Sequence, residues 1–182
     1  MRALVNREPV MNTLALQELF DCHHDTILQS AFKITGNLDD AEDVLQTVFM
    51  RLAKREDHVD LDRKSHSYFR RAGVNAALDV IRSRKLSRNI PLEVVAEGLE
   101  GNAGQRPDRL GSFLELRSWL RSALARLNPK AAEVFVLKFL EGYSNQEIAD
   151  ILGTTAGTVA VTIHRTRSRL KTEMQPFLGG KQ

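Results

Sequence analysis

The chain has 182 residues, of which 42% are hydrophobic and 27% are charged, so it can bury a core and keep a charged surface. One cysteine excludes an intramolecular disulfide framework and a multi-cysteine zinc site. The aromatic fraction of 6% disfavours a β-sandwich. We see no secretory signal and no apolar run near the ~18 residues that span a bilayer, and we expect a cytoplasmic protein without membrane insertion.

Charge is distributed unevenly along the chain, although the net charge is only +3. Residues 36–62 hold eight acidic and three basic side chains, whereas residues 63–88 hold eight basic side chains and one acidic. Residues 155–182 hold five basic side chains and one acidic. Such separation of charge predicts at least two kinds of macromolecular partner.

The N-terminal part predicts three helices, because apolar residues recur there with helical spacing. The stretches are residues 13–35, 37–55 and 65–85. Thr13 and Asn37 are good N-cap residues for the first two helices, and Asp39 and Asp40 fall where the helix dipole favours anions. The polar residues 56–64 predict a loop before the third helix.

The C-terminal part predicts four more helices, over residues 112–127, 129–140, 144–152 and 155–174. Ser112 with Glu115 and Ser144 with Glu147 have the capping-box pattern. Residues 87–111 contain scattered glycine and proline and predict a flexible linker. The sequence therefore predicts an all-α fold of two small helical domains, 10–86 and 112–178.

The sharpest local pattern is a helix-turn-helix over residues 144–171, with a turn at Gly153. Its second helix presents polar and basic side chains outward, as a helix that enters a major groove does. Candidate DNA contacts are Thr155, Thr158, Thr162, His164, Arg165 and Arg169. The alternative is an ordinary helical hairpin with a solvated basic face.

Three other patterns are more ambiguous. The basic helix 65–88 carries Tyr68 and Phe69, which could stack on unpaired bases or belong to the core. The acidic helix 39–55 has more carboxylates than a cap needs, so it is either a protein-docking face or a set of dipole partners. Cys22–Asp25 are adjacent and would spread around a helix, so we predict no metal site. We find no nucleotide-binding or hydrolase motif.

Three segments taken together resemble a known family. They are DDAEDVLQTVFMRL (39–52), YFRRAGVNAALDVIRSRK (68–85) and LARLNPKAAEVFVLKFLEGYSNQEIADILGTTAGTVAVTIHRTRSRLK (124–171). In this order and spacing they resemble the bacterial RNA polymerase sigma-70 family, in its extracytoplasmic-function (ECF) branch. The resemblance implies a non-enzymatic sigma factor without cofactor or metal. Such a protein binds core RNA polymerase and promoter DNA, recognises −35 and −10 elements, helps to melt the −10 region, and is commonly held by an anti-sigma factor.

The resemblance also implies roles for individual residues. Implied core polymerase-binding residues are Asp40, Glu42, Asp43, Gln46 and Phe49. Implied −10 DNA-binding residues are Tyr68, Arg71, Asn75, Arg82, Arg84 and Lys85. The helix 155–171 resembles the −35 reader, but Ala160–Thr162 stands where the family often has basic and hydroxyl residues. We therefore expect phosphate binding to depend on His164, Arg165 and Arg169.

Overall fold

A computed structural model describes residues 13–54, 65–88 and 107–179. Within these ranges the chain forms only helices, which confirms the all-α prediction. They are α1 (Thr13–Thr35), α2 (Leu38–Ala53), α3 (Ser65–Arg88), α4 (Pro107–Arg126), α5 (Pro129–Phe139), α6 (Asn145–Leu152) and α7 (Ala156–Gly179). The predicted loop 56–64 and most of the predicted linker 87–111 lie outside the described residues.

Two helices extend into the segment predicted as linker. α3 continues to Arg88, and α4 begins at Pro107 rather than at the Ser112 cap. The predicted start at Ser112 is wrong. Proline is well suited to the first turn of a helix, because the N–H groups there have no partner within the helix and proline lacks that N–H.

The predicted N-caps form at α2 and α6. The Asp40 backbone N–H donates to Asn37 Oδ1 at 3.1 Å. The Glu147 N–H donates to Ser144 Oγ at 3.2 Å, and the Ser144 N–H donates to Glu147 Oε2 at 2.7 Å, which completes the capping box. Hydrogen bonds from Ser144 to the charged carboxylate lower the pKa of Glu147.

The core of the N-terminal helices α1, α2 and α3 contains Phe69. Its side chain is fully buried and stacks on His23, with ring centroids 4.3 Å apart. Phe69 therefore belongs to the core and cannot reach a base. Phe20, by contrast, is 37% exposed and stacks on His24.

The helix-turn-helix is built around buried apolar residues of α5, α6 and α7, which include Leu137, Ile148 and Val159. Gly153 ends α6 with φ of +63°, a left-handed conformation that glycine adopts without strain. Thr155 follows this turn and directly precedes α7, and its Oγ1 accepts from the Thr158 N–H at 3.2 Å.

The two groups of helices pack against each other through α3, which contacts α4 and α5. At a second point, Arg121 of α4 donates from Nη1 to the carbonyl of Thr35, the last residue of α1, at 3.2 Å. A guanidinium at a helix C-terminus is favourable because it faces the negative end of the dipole. Among the described residues, no helix is long and apolar enough to cross a bilayer.

Candidate nucleic-acid interface

One side of α7 faces a cationic cleft of about 300 Å³. Thr162, Arg165 and Arg169 line it from α7, and Asn128 and Lys130 line it from the start of α5. At the N-terminus of α5, Pro129 has no N–H, the Ala131 N–H donates to Asn128 Oδ1 and the Ala132 N–H donates to the Asn128 carbonyl, which leaves the Lys130 amide for a ligand. A helix N-terminus beside several cations is a favourable place for a phosphate group.

The two arginines of this cleft differ in their partners. Arg169 Nε donates to Glu173 Oε1 at 2.9 Å, and Arg126 of α4 donates to the other carboxylate oxygen at 2.8 Å. The hydrogen bond from Arg126 has the largest effect in lowering the pKa of Glu173, followed by that from Arg169. Arg165 is exposed and makes no ion pair with any residue that the structure describes. Arg165 can therefore bind a phosphate without first leaving a carboxylate.

The threonines at the start of α7 differ in exposure. Thr155 and Thr158 are exposed, and their hydroxyl oxygens are hydrogen-bonded to each other at 3.0 Å. Thr162 is half-buried and donates its hydroxyl to the Thr158 carbonyl at 2.8 Å, which occupies its only donor. Two of the three threonines, Thr155 and Thr158, therefore have exposed side chains.

His164 lies on a different side of α7 from Arg165. It lines an apolar groove of about 900 Å³ with Trp119, Phe135 and Phe139. Arg167 stands over the Phe139 ring in this groove, 5.9 Å from the centroid. The structure therefore does not bring His164 together with the other predicted −35 residues.

The predicted −10 residues Arg71 and Asn75 meet at a single carboxylate of the C-terminal helices. Arg71 Nε donates to Glu133 Oε1 at 2.7 Å, and Asn75 Nδ2 donates to the same oxygen at 2.8 Å. Arg71 Nη1 also donates to the Ile151 carbonyl at 3.2 Å. Both side chains are therefore occupied by α5 and α6 in this conformation.

The remaining predicted −10 residues lie along α3 on either side of this point. Tyr68 is half-buried, with its ring edge-on to Phe69 at 5.3 Å. Near the end of α3, Arg82 pairs with Asp79 at 3.3 Å, and Arg84 pairs with Asp40 of α2. Lys85 is half-buried. The structure therefore separates the set into a group beside α5 and a basic group beside α2.

The predicted polymerase-binding residues of α2 are partly internal. Glu42, Asp43 and Gln46 are exposed. Asp40 is only 4% exposed, and its burial raises its pKa although the charge of Arg84 opposes that shift. Phe49 is 8% exposed and packs on Phe20 and Phe69. Asp40 and Phe49 are therefore placed to hold α2 against its neighbours rather than to contact a partner.

The sequence analysis did not identify two carboxylates that accept hydrogen bonds from side chains of α3. Besides Glu133, the fully buried carboxylate of Glu141 accepts from Arg70 at 2.9 Å and from Lys33 at 3.3 Å. One signal was available, because Glu133 interrupts the apolar stretch Ala131–Leu137. An acid at a buried helical position requires a donor from another element.

The side chains of Cys22–His24 diverge, as the spacing predicts. Cys22 is exposed, His23 stacks on Phe69, and His24 stacks on Phe20. Within the described parts of the chain, no three His, Cys, Asp or Glu side chains form a group that could hold a metal ion.

Comparison with known proteins finds two regions of the chain that match family models. Residues 19–87 match the family model Sigma-70 region 2, and residues 117–170 match Sigma-70, region 4. The chain is 31% identical over 167 residues to the ECF RNA polymerase sigma factor SigW of Bacillus subtilis, covering 88% of this chain and 89% of that one. It is 33% identical over 162 residues to an RNA polymerase sigma-E factor of Streptomyces coelicolor, with 88% and 86% covered.

A solved structure, that of CnrH in complex with the cytosolic domain of CnrY, has a similar fold. The TM-score is 0.53 at 25% identity, and the alignment covers 94% of this chain and 92% of that one. Two helical regions, one of them a helix-turn-helix, together define a non-enzymatic transcription-initiation factor. The chain belongs to the sigma-70 family, in its extracytoplasmic-function branch. As a sigma factor it binds core RNA polymerase and promoter DNA and directs promoter-specific initiation.

Proposed function

We propose that three surfaces of this sigma factor divide the work of initiation. The cleft between α7 and α5 binds the −35 element, the side of α3 that carries Arg71 and Asn75 binds the −10 element, and α2 docks on core polymerase. The domain limits 10–86 and 112–178 fit this division, because the two family regions fall inside or within a residue of them. Because its partners work in the cytoplasm, we place the protein there too.

The observation that carries the proposal is the joining of exposed α7 residues to a phosphate-sized cationic cleft. We propose that the exposed Thr155 and Thr158 at the start of α7 contact base edges. Arg165, Arg169 and Lys130 line one cleft, and we propose that they bind the adjacent DNA backbone. The missing charge at Ala160–Thr162 is compensated by Lys130 of α5, which the sequence pattern of α7 alone does not reveal.

On α3 we propose that Asn75 and Arg71 contact the non-duplex strand of the −10 element, with Tyr68 beside them. An amide and a guanidinium supply donors to base and backbone acceptors, and an aromatic edge supplies a stacking surface worth about 1–3 kcal/mol per base. The basic end formed by Arg82, Arg84 and Lys85 then holds the backbone of the strand.

On α2 we propose that Glu42, Asp43 and Gln46 form the docking surface for core polymerase. All three are exposed, and their acidity complements a cationic partner surface. Asp40 and Phe49 keep the helix in position through Arg84 and the core.

An anti-sigma factor is the regulatory partner that we propose. The similar protein CnrH forms a complex with the cytosolic domain of CnrY. In this chain the groove beside His164, with its volume of about 900 Å³ and walls of Trp119, Phe135 and Phe139, could accept the apolar side chains of such a partner.

Run-off transcription with start-site sequencing tests the division of labour. Core polymerase is incubated with genomic DNA fragments, with and without the protein, and the 5′ ends of the transcripts are mapped. We expect protein-dependent starts that share two upstream elements. Thr158→Ala should alter base preference only at the −35 element, and Asn75→Ala only the −10 preference or melting. If core polymerase with the protein uses no new starts, the proposed function is wrong.

A further inference from the structure

We propose that Val161 contributes to base specificity at the −35 element by contacting the C5 methyl group of a thymine in the major groove. The inference rests on the proposed −35 role of α7. Val161 is 50% exposed, and among the described side chains of α7 it is the only large hydrophobic one that is exposed. Thymine presents its methyl group in the major groove, where apolar side chains contact it.

Val161 points almost directly away from the core. Successive residues of a helix are turned by about 100°, so Val161 lies about 170° from the middle of the buried side of α7. That side is formed by Val159, Ile163, Thr166 and Leu170. Packing within the protein therefore does not account for an apolar side chain at this position. Helix propensity does not account for it either, because valine is a poorer helix former than alanine, lysine or arginine.

The neighbours of Val161 on α7 are residues for which we propose DNA contacts. Thr158 lies one turn before Val161 and Arg165 lies one turn after it, about 60° and 40° away around the helix axis. Thr158 is assigned to a base edge and Arg165 to the phosphate backbone. When these two residues bind DNA, Val161 lies between them in the major groove, among the N-terminal residues of the recognition helix that contact bases.

Gly157 leaves the surface beside Val161 open. It is exposed and lies one turn before Val161, about 40° away around the axis. Its φ is not positive, and a Cβ at this position would lie 3.8 Å from Thr155 Oγ1, an ordinary van der Waals distance. Neither the backbone nor the packing therefore requires a glycine, although glycine weakens a helix. Without a side chain at Gly157, a base edge can approach the backbone closely and bring its methyl group against Val161.

The experiment removes the methyl group from the DNA and the isopropyl group from the protein separately. The probe is a labelled −35 duplex from the mapped start sites, bound by the reconstituted holoenzyme and measured by anisotropy. Each thymine of the −35 element is replaced in turn by uracil, which removes the C5 methyl group and keeps every hydrogen-bonding group of the base pair.

Val161→Ala is compared with the wild type, and Thr172→Ala is the matched control. Thr172 is another exposed β-branched residue on the same side of α7, eleven residues farther along the helix, which is about 16 Å from Val161. Its substitution makes a similar change to the helix, far from the end that enters the major groove.

We expect one thymine at which uracil weakens wild-type binding about fourfold, which corresponds to the burial of one methyl group. In Val161→Ala the difference between thymine and uracil should fall below about twofold, and Thr172→Ala should keep it. A merely structural role of Val161 would weaken binding of both duplexes by the same factor.

The inference is overturned if the −35 element contains no thymine, if uracil is tolerated at every thymine, or if Val161→Ala keeps the wild-type difference between the two bases. Failure of the proposed function is separate, because then the wild-type holoenzyme selects no start sites in the transcription assay.

Discussion

Arg165→Ala should weaken −35 binding through the loss of one phosphate contact. Each contact contributes about 0.9 to the slope of log K against log salt concentration. Between 0.1 M and 0.4 M salt, one contact therefore accounts for a change in affinity of about 3.5-fold, so the wild type should lose about 3.5-fold more affinity than the variant over this range. Because Arg165 has no carboxylate partner among the described residues, we expect nearly the whole contact to be lost.

The assay is anisotropy of a labelled −35 duplex with the reconstituted holoenzyme at several salt concentrations. Arg167→Ala is the matched control, because this residue is on the same helix but stands over Phe139 on the apolar-groove side. The control should keep the wild-type slope. An unchanged slope in Arg165→Ala, or an equal fall in both variants, would refute the assignment of the cleft.

Arg169→Ala should have a smaller effect than Arg165→Ala. Arg169 must leave Glu173 before it binds a phosphate, and that pair is partly exposed, so its rupture costs up to about 1 kcal/mol. Glu173→Gln should consequently tighten −35 binding, as measured with the same duplex and holoenzyme. A weaker complex in Glu173→Gln would contradict this reasoning.

Three further predictions concern docking and stability. Asp43→Arg should impair capture of core polymerase in a pull-down, because it reverses a charge of the proposed docking surface. Glu18→Arg on α1 is the control and should not impair capture. Equal capture by both variants would place docking elsewhere. Gly36→Ala should lower the free energy of unfolding, measured by urea denaturation, by about 1–2 kcal/mol. The backbone φ of Gly36 is +68°, and the new Cβ would displace Arg121 from the Thr35 carbonyl. Unchanged stability would mean that the turn rearranges. Burial and, secondarily, His66 lower the pKa of His23, so its contribution to stability is present above its usual pKa and is lost as pH falls. Between pH 7.5 and 5.5, the free energy of unfolding should fall by at most about 1.4 kcal/mol per pH unit, and His23→Phe should remove this pH dependence. An unaltered pH dependence in the variant would show that other groups cause it.

Local chemistry was sufficient for most of the secondary structure. Asn37 and the Ser144–Glu147 box specify helix starts through bonds that span three residues, so no distant contact is needed to predict them. The prediction at Ser112 failed because two acceptable starts, a proline and a capping box, lie in one segment. Local propensity does not decide between two such signals.

The sites were harder to predict than the helices, because a helical face is assigned by its packing. From its sequence position Asp40 is expected on the surface, but its side chain is buried against Arg84. Phe49 likewise belongs to the core. His164 follows Ile163 and precedes Arg165, yet one residue turns a helix by about 100°, so His164 faces the apolar groove and Arg165 faces the cationic cleft.

By itself the sequence determined the class of fold, the order of the helices, the helix-turn-helix and the family, since all of these depend on short-range periodicity, caps and motifs. Only the tertiary structure decided that Lys130 joins the cleft of α7 and that Glu133 occupies Arg71 and Asn75. Those contacts join residues 58 and 62 positions apart, and no local rule of helix formation constrains a pairing at that separation.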